Sequence, residues 1–190
     1  PKDLHTTIPV SLCLRCMLAV LLSLLIQPFI IDFGQNKDGS DWRTINDNVM
    51  GGVSRGGHQL TKDALVFSGK ISFDNNGGFS SVRGPYGEYD FSSFTRVKIS
   101  YSLQGLDMAL TLERERPYYK PKYRMDLAKT GGEWKTIEFP LLEFKEYVVG
   151  RPTGQSISKS QLQDIIRFGF INSEKAEKEF ELRVDYISFE

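Results

Sequence analysis

Ala64-Leu65-Val66-Phe67-Ser68-Gly69-Lys70-Ile71-Ser72-Phe73 decides the fold. Leu65, Phe67, Ile71 and Phe73 share one parity of a period-two pattern, the signature of a strand with one face in a core. The same alternation returns in Val97–Leu103, Met108–Leu112, Tyr123–Leu127, Trp134–Phe139 and Phe180–Val184. Between these runs stand turn residues, Gly84-Pro85, Gln104-Gly105 and Thr130-Gly131-Gly132, where a parallel sheet would need helical crossovers. Many short strands joined by turns predict an all-β, antiparallel sandwich. Only Ser158–Ile165 reads as helix, a short turn capped by Ser158 or Ser160, and Ile165–Ile171 after it reads as a strand.

A chain of 190 residues, 40% hydrophobic and 12% aromatic, is long enough to bury one substantial core, so one globular domain is expected over residues 30–190. Its 24 basic and 24 acidic residues cancel, so nucleic acid and anionic membrane have no overall field to follow, and nucleic acid is not expected as a partner. The densest local basic stretch is Arg114–Arg124, with Tyr118, Tyr119 and Tyr123 interleaved. It reads either as a solvated hairpin or as a contact for single-stranded RNA.

Residues 1–29 form a separate apolar segment, with Met17–Ile26 nearly all hydrophobic behind Lys2 and Arg15. This is the pattern of an export signal, too short before Gln27-Pro28 for a comfortable membrane span and lacking a small-x-small cleavage site. A signal, an anchor or a start assigned upstream of the true one all fit. The expected location is accordingly membrane-associated or exported, with cytoplasm or mitochondrion as the alternative. Cys13 and Cys16 are spaced C-x-x-C but lack the further ligands or βαβ setting that zinc or redox chemistry requires.

Two glycine-anchored segments stand out within the domain, Asn46-Asp47-Asn48-Val49-Met50-Gly51-Gly52-Val53-Ser54 and Asp74-Asn75-Asn76-Gly77-Gly78-Phe79-Ser80-Ser81-Val82-Arg83. Glycines that permit positive φ, beside Asn and Asp side chains that bond nearby backbone, predict rigid, sharply turned loops, and rigid loops on a scaffold commonly serve recognition. Met50 is either a plug turned inward or an exposed, adaptable contact. Arg83 and Arg151, each beside a loop glycine, either pin loops through a carboxylate or offer a fork to a partner. Trp42 and Trp134 are expected to be partly buried core anchors.

Enzyme signatures are missing. His58 is the domain's one histidine, placed in a loop Gly56-Gly57-His58-Gln59, so no histidine cluster for a metal and no Ser-His or Cys-His pair is supported. Gly51–Gly57 has neither the G-K-[ST] ending of a phosphate loop nor the G-x-G-x-x-G spacing of a dinucleotide turn, and reads as a structural turn. Asp47, Asp74 and Asp185 are oxygen ligands in type, yet EF-hand spacing is absent and turn formation suits Asp47 and Asp74. No cofactor, metal or catalytic residue is expected.

The order Trp42, Asn46-Asp47-x-Val49-Met50-Gly51-Gly52-x-Ser54, Phe67-x-Gly69, Asn75-Asn76-Gly77-Gly78-Phe79-x-Ser81-Val82-Arg83, Gly150-Arg151-Pro152 resembles the complex I intermediate-associated protein 30 family. Trp134, Pro140-Leu141-x-x-Phe144 and Val184-Asp185-Tyr186-Ile187 extend the resemblance, which runs from about Ile31 to Glu190. Gln104-Gly105-Leu106-Asp107 departs from it where a glycine-aspartate turn is usual, which affects one loop. The resemblance implies a galactose-binding-like jelly roll and a non-enzymatic role, mitochondrial members being assembly factors for intermediates of the proton-pumping NADH:quinone oxidoreductase. It carries Asp47, Met50, Gly51, Gly52, Asn76, Gly77, Arg83 and Arg151 over as a candidate partner-binding surface. The expected function is that of a protein-binding assembly factor or chaperone for a membrane oxidoreductase complex. A carbohydrate-binding module is the alternative, with Tyr118, Tyr119, Tyr123, Trp134 and Tyr147 as stacking planes.

Overall fold

The computed structural model describes residues 27–190; the expectations for Cys13, Cys16 and the apolar run lie outside them. Thirteen strands follow in order: β1 Phe29–Asp32, β2 Arg43–Asn46, β3 Arg55–Leu60, β4 Leu65–Lys70, β5 Ser80–Arg83, β6 Arg96–Gln104, β7 Met108–Glu113, β8 Lys122–Leu127, β9 Lys135–Pro140, β10 Lys145–Val148, β11 Arg151–Ser156, β12 Arg167–Asn172 and β13 Glu179–Phe189. All pairings between them are antiparallel. The first sheet has the order β3-β4-β13-β6-β9 with β1 also on β13, and the second runs β11-β10-β8-β7-β12-β5-β2. Among the described residues no helix is long and apolar enough to cross a membrane.

The expected strands are present and the sandwich is two-layered. Leu65, Phe67, Ile99, Tyr101, Leu103, Leu182, Val184 and Ile187 of the first sheet meet Val82, Met108, Leu110, Leu112, Tyr123, Phe168 and Phe170 of the second in one apolar core. Aromatic pairs fix its ends: Phe91 stacks on Phe189 with centroids 3.8 Å apart, and Trp42 meets Phe33 edge-on at 4.9 Å. Phe29 packs on Tyr89, Phe91, Phe168 and Phe189, so the sandwich takes in one residue before position 30. Asp185 lies at a register shift in β13 between the pairs Val184↔Tyr101 and Tyr186↔Ser100, where a bulge turns the strand.

Several local readings are corrected. The alternation at Ala64–Phe73 ends at Lys70, Phe73 is exposed, and Ser158–Ile165 is a 3-10 turn over Ser160–Asp164. His58 and the glycines Gly56-Gly57 belong to strand β3, with His58 Nδ1 bonded to Thr44 Oγ1 at 2.7 Å. Ser80–Arg83 is strand β5, and Gly150-Arg151-Pro152 leads from a hairpin turn into edge strand β11. That turn places Val149 at φ 47° and Gly150 at φ 73°, the left-handed pair of a type I′ hairpin.

Candidate functional site

Both glycine-anchored loops are tied to one carboxylate. Asp47 opens a 3-10 turn, Asp47–Met50, and is 2% exposed. Its Oδ1 accepts the Ser54 amide at 3.0 Å; its Oδ2 accepts the Ser54 hydroxyl at 2.5 Å and the amides of Gly78 and Phe79 at 2.6 and 3.2 Å. A Cβ on Gly52 would lie 2.5 Å from Asp47 Oδ1, and one on Gly77 2.6 Å from Oδ2, so these two glycines are the room the carboxylate needs. Burial alone would raise the Asp47 carboxyl, but the hydrogen bonds from Ser54, Gly78 and Phe79 outweigh it and hold it below the usual aspartate range.

A second layer of polar side chains supports this knot. Asn46 Oδ1 accepts the Gly56 amide at 3.1 Å and the Ser80 hydroxyl at 2.5 Å. Asn172 Oδ1 accepts the Ser80 amide at 2.9 Å while its Nδ2 donates to the Gly78 carbonyl at 3.0 Å. Glu177 accepts the Phe73 amide at 2.6 Å. Asn172 and Glu177 escaped the sequence reading because they come from the chain's far end, 92 to 104 positions from the residues they hold.

Met50 faces outward. It is 75% exposed and Val49 71%; Val53 on the same loop and Phe73, at the entry to the second, are exposed as well. Gly51 turns the backbone at φ 91° with open space around it, and Asn75 and Asn76 are both left-handed, at φ 55° and 59°. Asp47 is corrected from a surface contact to an internal strut, since its carboxylate is buried and fully engaged by the two loops.

The two arginines lie elsewhere, and apart. Arg83 is on the outer face of the second sheet, its Nε donating to Ser81 Oγ at 2.9 Å and its NH1 3.6 Å from Glu113. Arg151 starts β11 at the opposite edge, five strand positions away or about 24 Å across the sheet. Arg151 forms no ion pair among the described residues. The eight carried-over residues therefore form no single surface.

Glu113, unmarked in the sequence reading, ends the middle strand β7 on the second sheet's outer face, between Arg167 of β12 and Lys122 of β8. It is 3% exposed, takes a bidentate hydrogen bond from Arg167 at 3.1 and 2.9 Å, and has Lys122 Nζ at 3.1 Å. Burial pushes its pKa up; Arg167, Arg83 and Lys122 together push it further down, leaving it below the ordinary glutamate range.

The stacking set is likewise dispersed. Tyr123 is a core residue, 1% exposed, with its hydroxyl on Glu146 at 3.1 Å, so it is corrected from a stacking plane to a packing residue. Trp134, expected in the core, is 43% exposed beside the first sheet under Arg183, in an open cleft of 710 Å³ shared with Lys62, Asp63 and Asp185. Tyr118 and Tyr119 contact edge-on in the loop before β8, and Tyr147 lies on β10 beneath Arg124. The basic stretch Arg114–Arg124 leads from β7 into β8, and three of its five cations find acids: Arg114 pairs with Asp164, Lys120 with Glu115 and Lys122 with Glu113.

Among the described residues no group of three or more His, Cys, Asp or Glu is arranged to hold an ion. Burial and the charges of Asp32 and Asp63 push the Asp185 carboxyl up. The Lys37 ammonium fills the nearby carbonyl cage of Gly34, Thr61 and Lys62.

Solved structures share this architecture. The family 11 carbohydrate-binding module of the cellulosomal cellulase Lic26A-Cel5E of Clostridium thermocellum superposes with a TM-score of 0.64 at 14% identity, over 86% of this chain and 95% of that one. The same organism's family 11 module in complex with a β-1,3-1,4-mixed-linked tetrasaccharide gives 0.61 at 14%, over 85% and 95%. The agarase AgWH50C gives 0.52 at 11%, over 87% of this chain and 25% of the enzyme. Identities this low establish a shared fold and nothing about ligands. No curated protein matches the chain by sequence. The family model of complex I intermediate-associated protein 30 matches residues 31–184, spanning the knotted loops and both sheets, and the chain belongs to that family.

Proposed function

We propose that this protein is a non-enzymatic, protein-binding assembly factor for a membrane oxidoreductase complex of the complex I type, and that it engages its client through the tip formed by Val49, Met50, Val53 and Phe73. Family membership supports the class of role. The observation that carries the docking site is the apolar tip on a rigid base: large hydrophobic side chains held in water by backbone that one buried carboxylate has fixed. A surface ordered before contact loses little conformational entropy on binding, which favours affinity for a partner that is itself only partly assembled. Met, with three rotatable bonds and a polarizable sulfur, fits variable apolar surfaces.

The sugar-binding alternative requires several free rings along one groove. Here the candidate rings divide between the core, a hairpin loop and two different sheets, and that dispersal favours the protein-binding reading.

Deleting the gene tests the proposal. Native gels of the deletion strain are expected to show assembly intermediates of complex I accumulating at the expense of the mature complex. Unchanged assembly of complex I and of the other membrane oxidoreductases would overturn it.

A further inference from the structure

The second sheet's outer face carries two adjacent cross-strand rows of side chains, because residues paired across antiparallel strands point the same way. One row runs Arg43, Arg83, Gly169, Thr111, Arg124, Lys145 from β2 to β10. The next runs Arg167, Glu113, Lys122, Tyr147. β7 is buried on both faces, Ala109, Thr111 and Glu113 being shielded outside just as Met108, Leu110 and Leu112 are shielded in the core. The long cationic side chains thus lie over a floor of small residues, Gly169, Thr111 and Ala109, which they cover, and we call this cationic band the trough.

The charge in this trough is unbalanced. Arg83, Lys122 and Arg167 share the single carboxylate of Glu113, and side-chain exposures of 23%, 17% and 9% keep them from full hydration. Arg124 forms no ion pair among the described residues, and its buried Nε has no hydrogen-bond partner. Asp126, two residues along β8, is exposed and is the other acid near Arg124. Like charges crowded in a partly dry site repel more strongly than they would in water. Arg83 registers it: burial and the Arg167 and Arg124 charges depress its pKa despite Glu113.

We infer that this trough binds an extended acidic segment of a partner polypeptide, whose Asp and Glu carboxylates supply a counter-charge to Arg124 and add to the one that Arg83 and Lys122 share with Arg167. This rests on the protein-binding reading above and adds a second contact on a different face. Three features select the occupant. Glu113 already demonstrates the match, a carboxylate seated bidentately on an arginine with a lysine beside it. The row from Arg83 to Lys145 crosses four strand steps, about 19 Å, which an extended chain of about six residues spans. The rings beside these rows are covered, Tyr86 by Arg116 and Arg167 at 4.5 and 4.2 Å and Tyr147 by Arg124 at 4.8 Å. Rings already faced by guanidinium groups offer a sugar or a nucleobase poor stacking, whereas Arg83 and Lys122 keep 23% and 17% of their side-chain surface accessible to a carboxylate.

Fluorescence anisotropy with a labelled ten-residue Glu/Asp peptide tests this on the folded protein, against a neutral peptide of equal length, an oligogalacturonate and a single-stranded oligonucleotide. The acidic peptide is expected to bind most tightly, with affinity falling as salt rises. Arg124→Gln, which removes no ion pair, is expected to weaken it about tenfold, as loss of one charged hydrogen bond does. Glu113→Gln is expected to tighten it, since it adds a net positive charge. A thermal melt confirms that each variant is folded. Binding untouched by Arg124→Gln and Lys145→Gln together, no binding of the acidic peptide, or tighter binding of the oligonucleotide or oligogalacturonate would each overturn the inference. Failure here leaves the deletion phenotype and the Met50 tip standing; a normal deletion phenotype leaves peptide binding intact, so the two proposals fail separately.

Discussion

Asp47→Ala is expected to lower the thermal unfolding midpoint by about 10 °C. The truncation orphans three backbone donors, the amides of Ser54, Gly78 and Phe79, and leaves the Ser54 hydroxyl with the Ser72 carbonyl at 3.1 Å as its acceptor. Each buried, unsatisfied donor costs about 1–3 kcal/mol. Water entering the opened loops recovers part of that, leaving about 4 kcal/mol, and a domain of this size loses about 2–4 °C per kcal/mol. Acid should mimic the mutation. Because the folded pKa of Asp47 is depressed, its contribution is complete above the unfolded aspartate pKa of about 3.9 and is lost as pH falls through the lower folded value. Differential scanning calorimetry from neutral pH downward is expected to show wild type converging on Asp47→Ala in that acidic window and nowhere above it. Equal midpoints at neutral pH would mean that Asp47 does not tie the loops.

Glu113→Gln is expected to cost about 3 kcal/mol at neutral pH, within the range for removing one member of a buried ion pair. The amide keeps the shape of the side chain and can still accept from Arg167, so the loss reports charge: Arg83, Lys122 and Arg167 are left facing one another without an acid. Its pH dependence has the same sign as that of Asp47, since the Glu113 pKa is also depressed and its stabilisation vanishes only as acid protonates the folded carboxylate. Two consequences separate this variant from Asp47→Ala. Its midpoint is expected to recover in the presence of the acidic peptide, because a ligand that binds only the folded state stabilises it, and the loops around Met50 are expected to keep their slow amide exchange. Urea titration monitored by tryptophan emission checks the first number; a midpoint within error of wild type would contradict it.

How far each feature could be read from the sequence follows from how local its cause is. β4, β6, β7, β8, β12 and β13 were legible because an apolar stripe against a core repeats every second residue. β3 was not. Gly56 and Gly57 look like turn residues, yet Gly56 sits opposite Gly69 across the β3–β4 ladder, and a Cβ on it would lie 2.9 Å from Asn46 Oδ1. The glycine there answers close strand packing and not chain reversal. β10 and β11 were hidden for another reason: β11 is exposed throughout, so it has no alternation to see. The sharply turned loops were legible in their Asn, Asp and Gly content, whereas the choice between an inward and an outward Met50 shows only in its burial. Glu113 was invisible because alternation assigns it to solvent; its burial is created by Arg83, Lys122 and Arg167 arriving from three other strands, the farthest 54 positions away. The candidate surface divided for the same reason, since residues that stand together in a family motif are placed by topology on a loop tip, a sheet face and a sheet edge.

The tip formed by the two knotted loops is the core of the account, and complementation with Met50→Asp/Val53→Asp tests it most directly. Both side chains are exposed, so the double variant is expected to melt close to wild type. Expressed in the deletion strain and assayed on native gels, it is expected to leave complex I assembly unrestored, because two carboxylates at the centre of an apolar contact would have to be desolvated on docking. Restoration to the wild-type level by this folded variant would contradict the account.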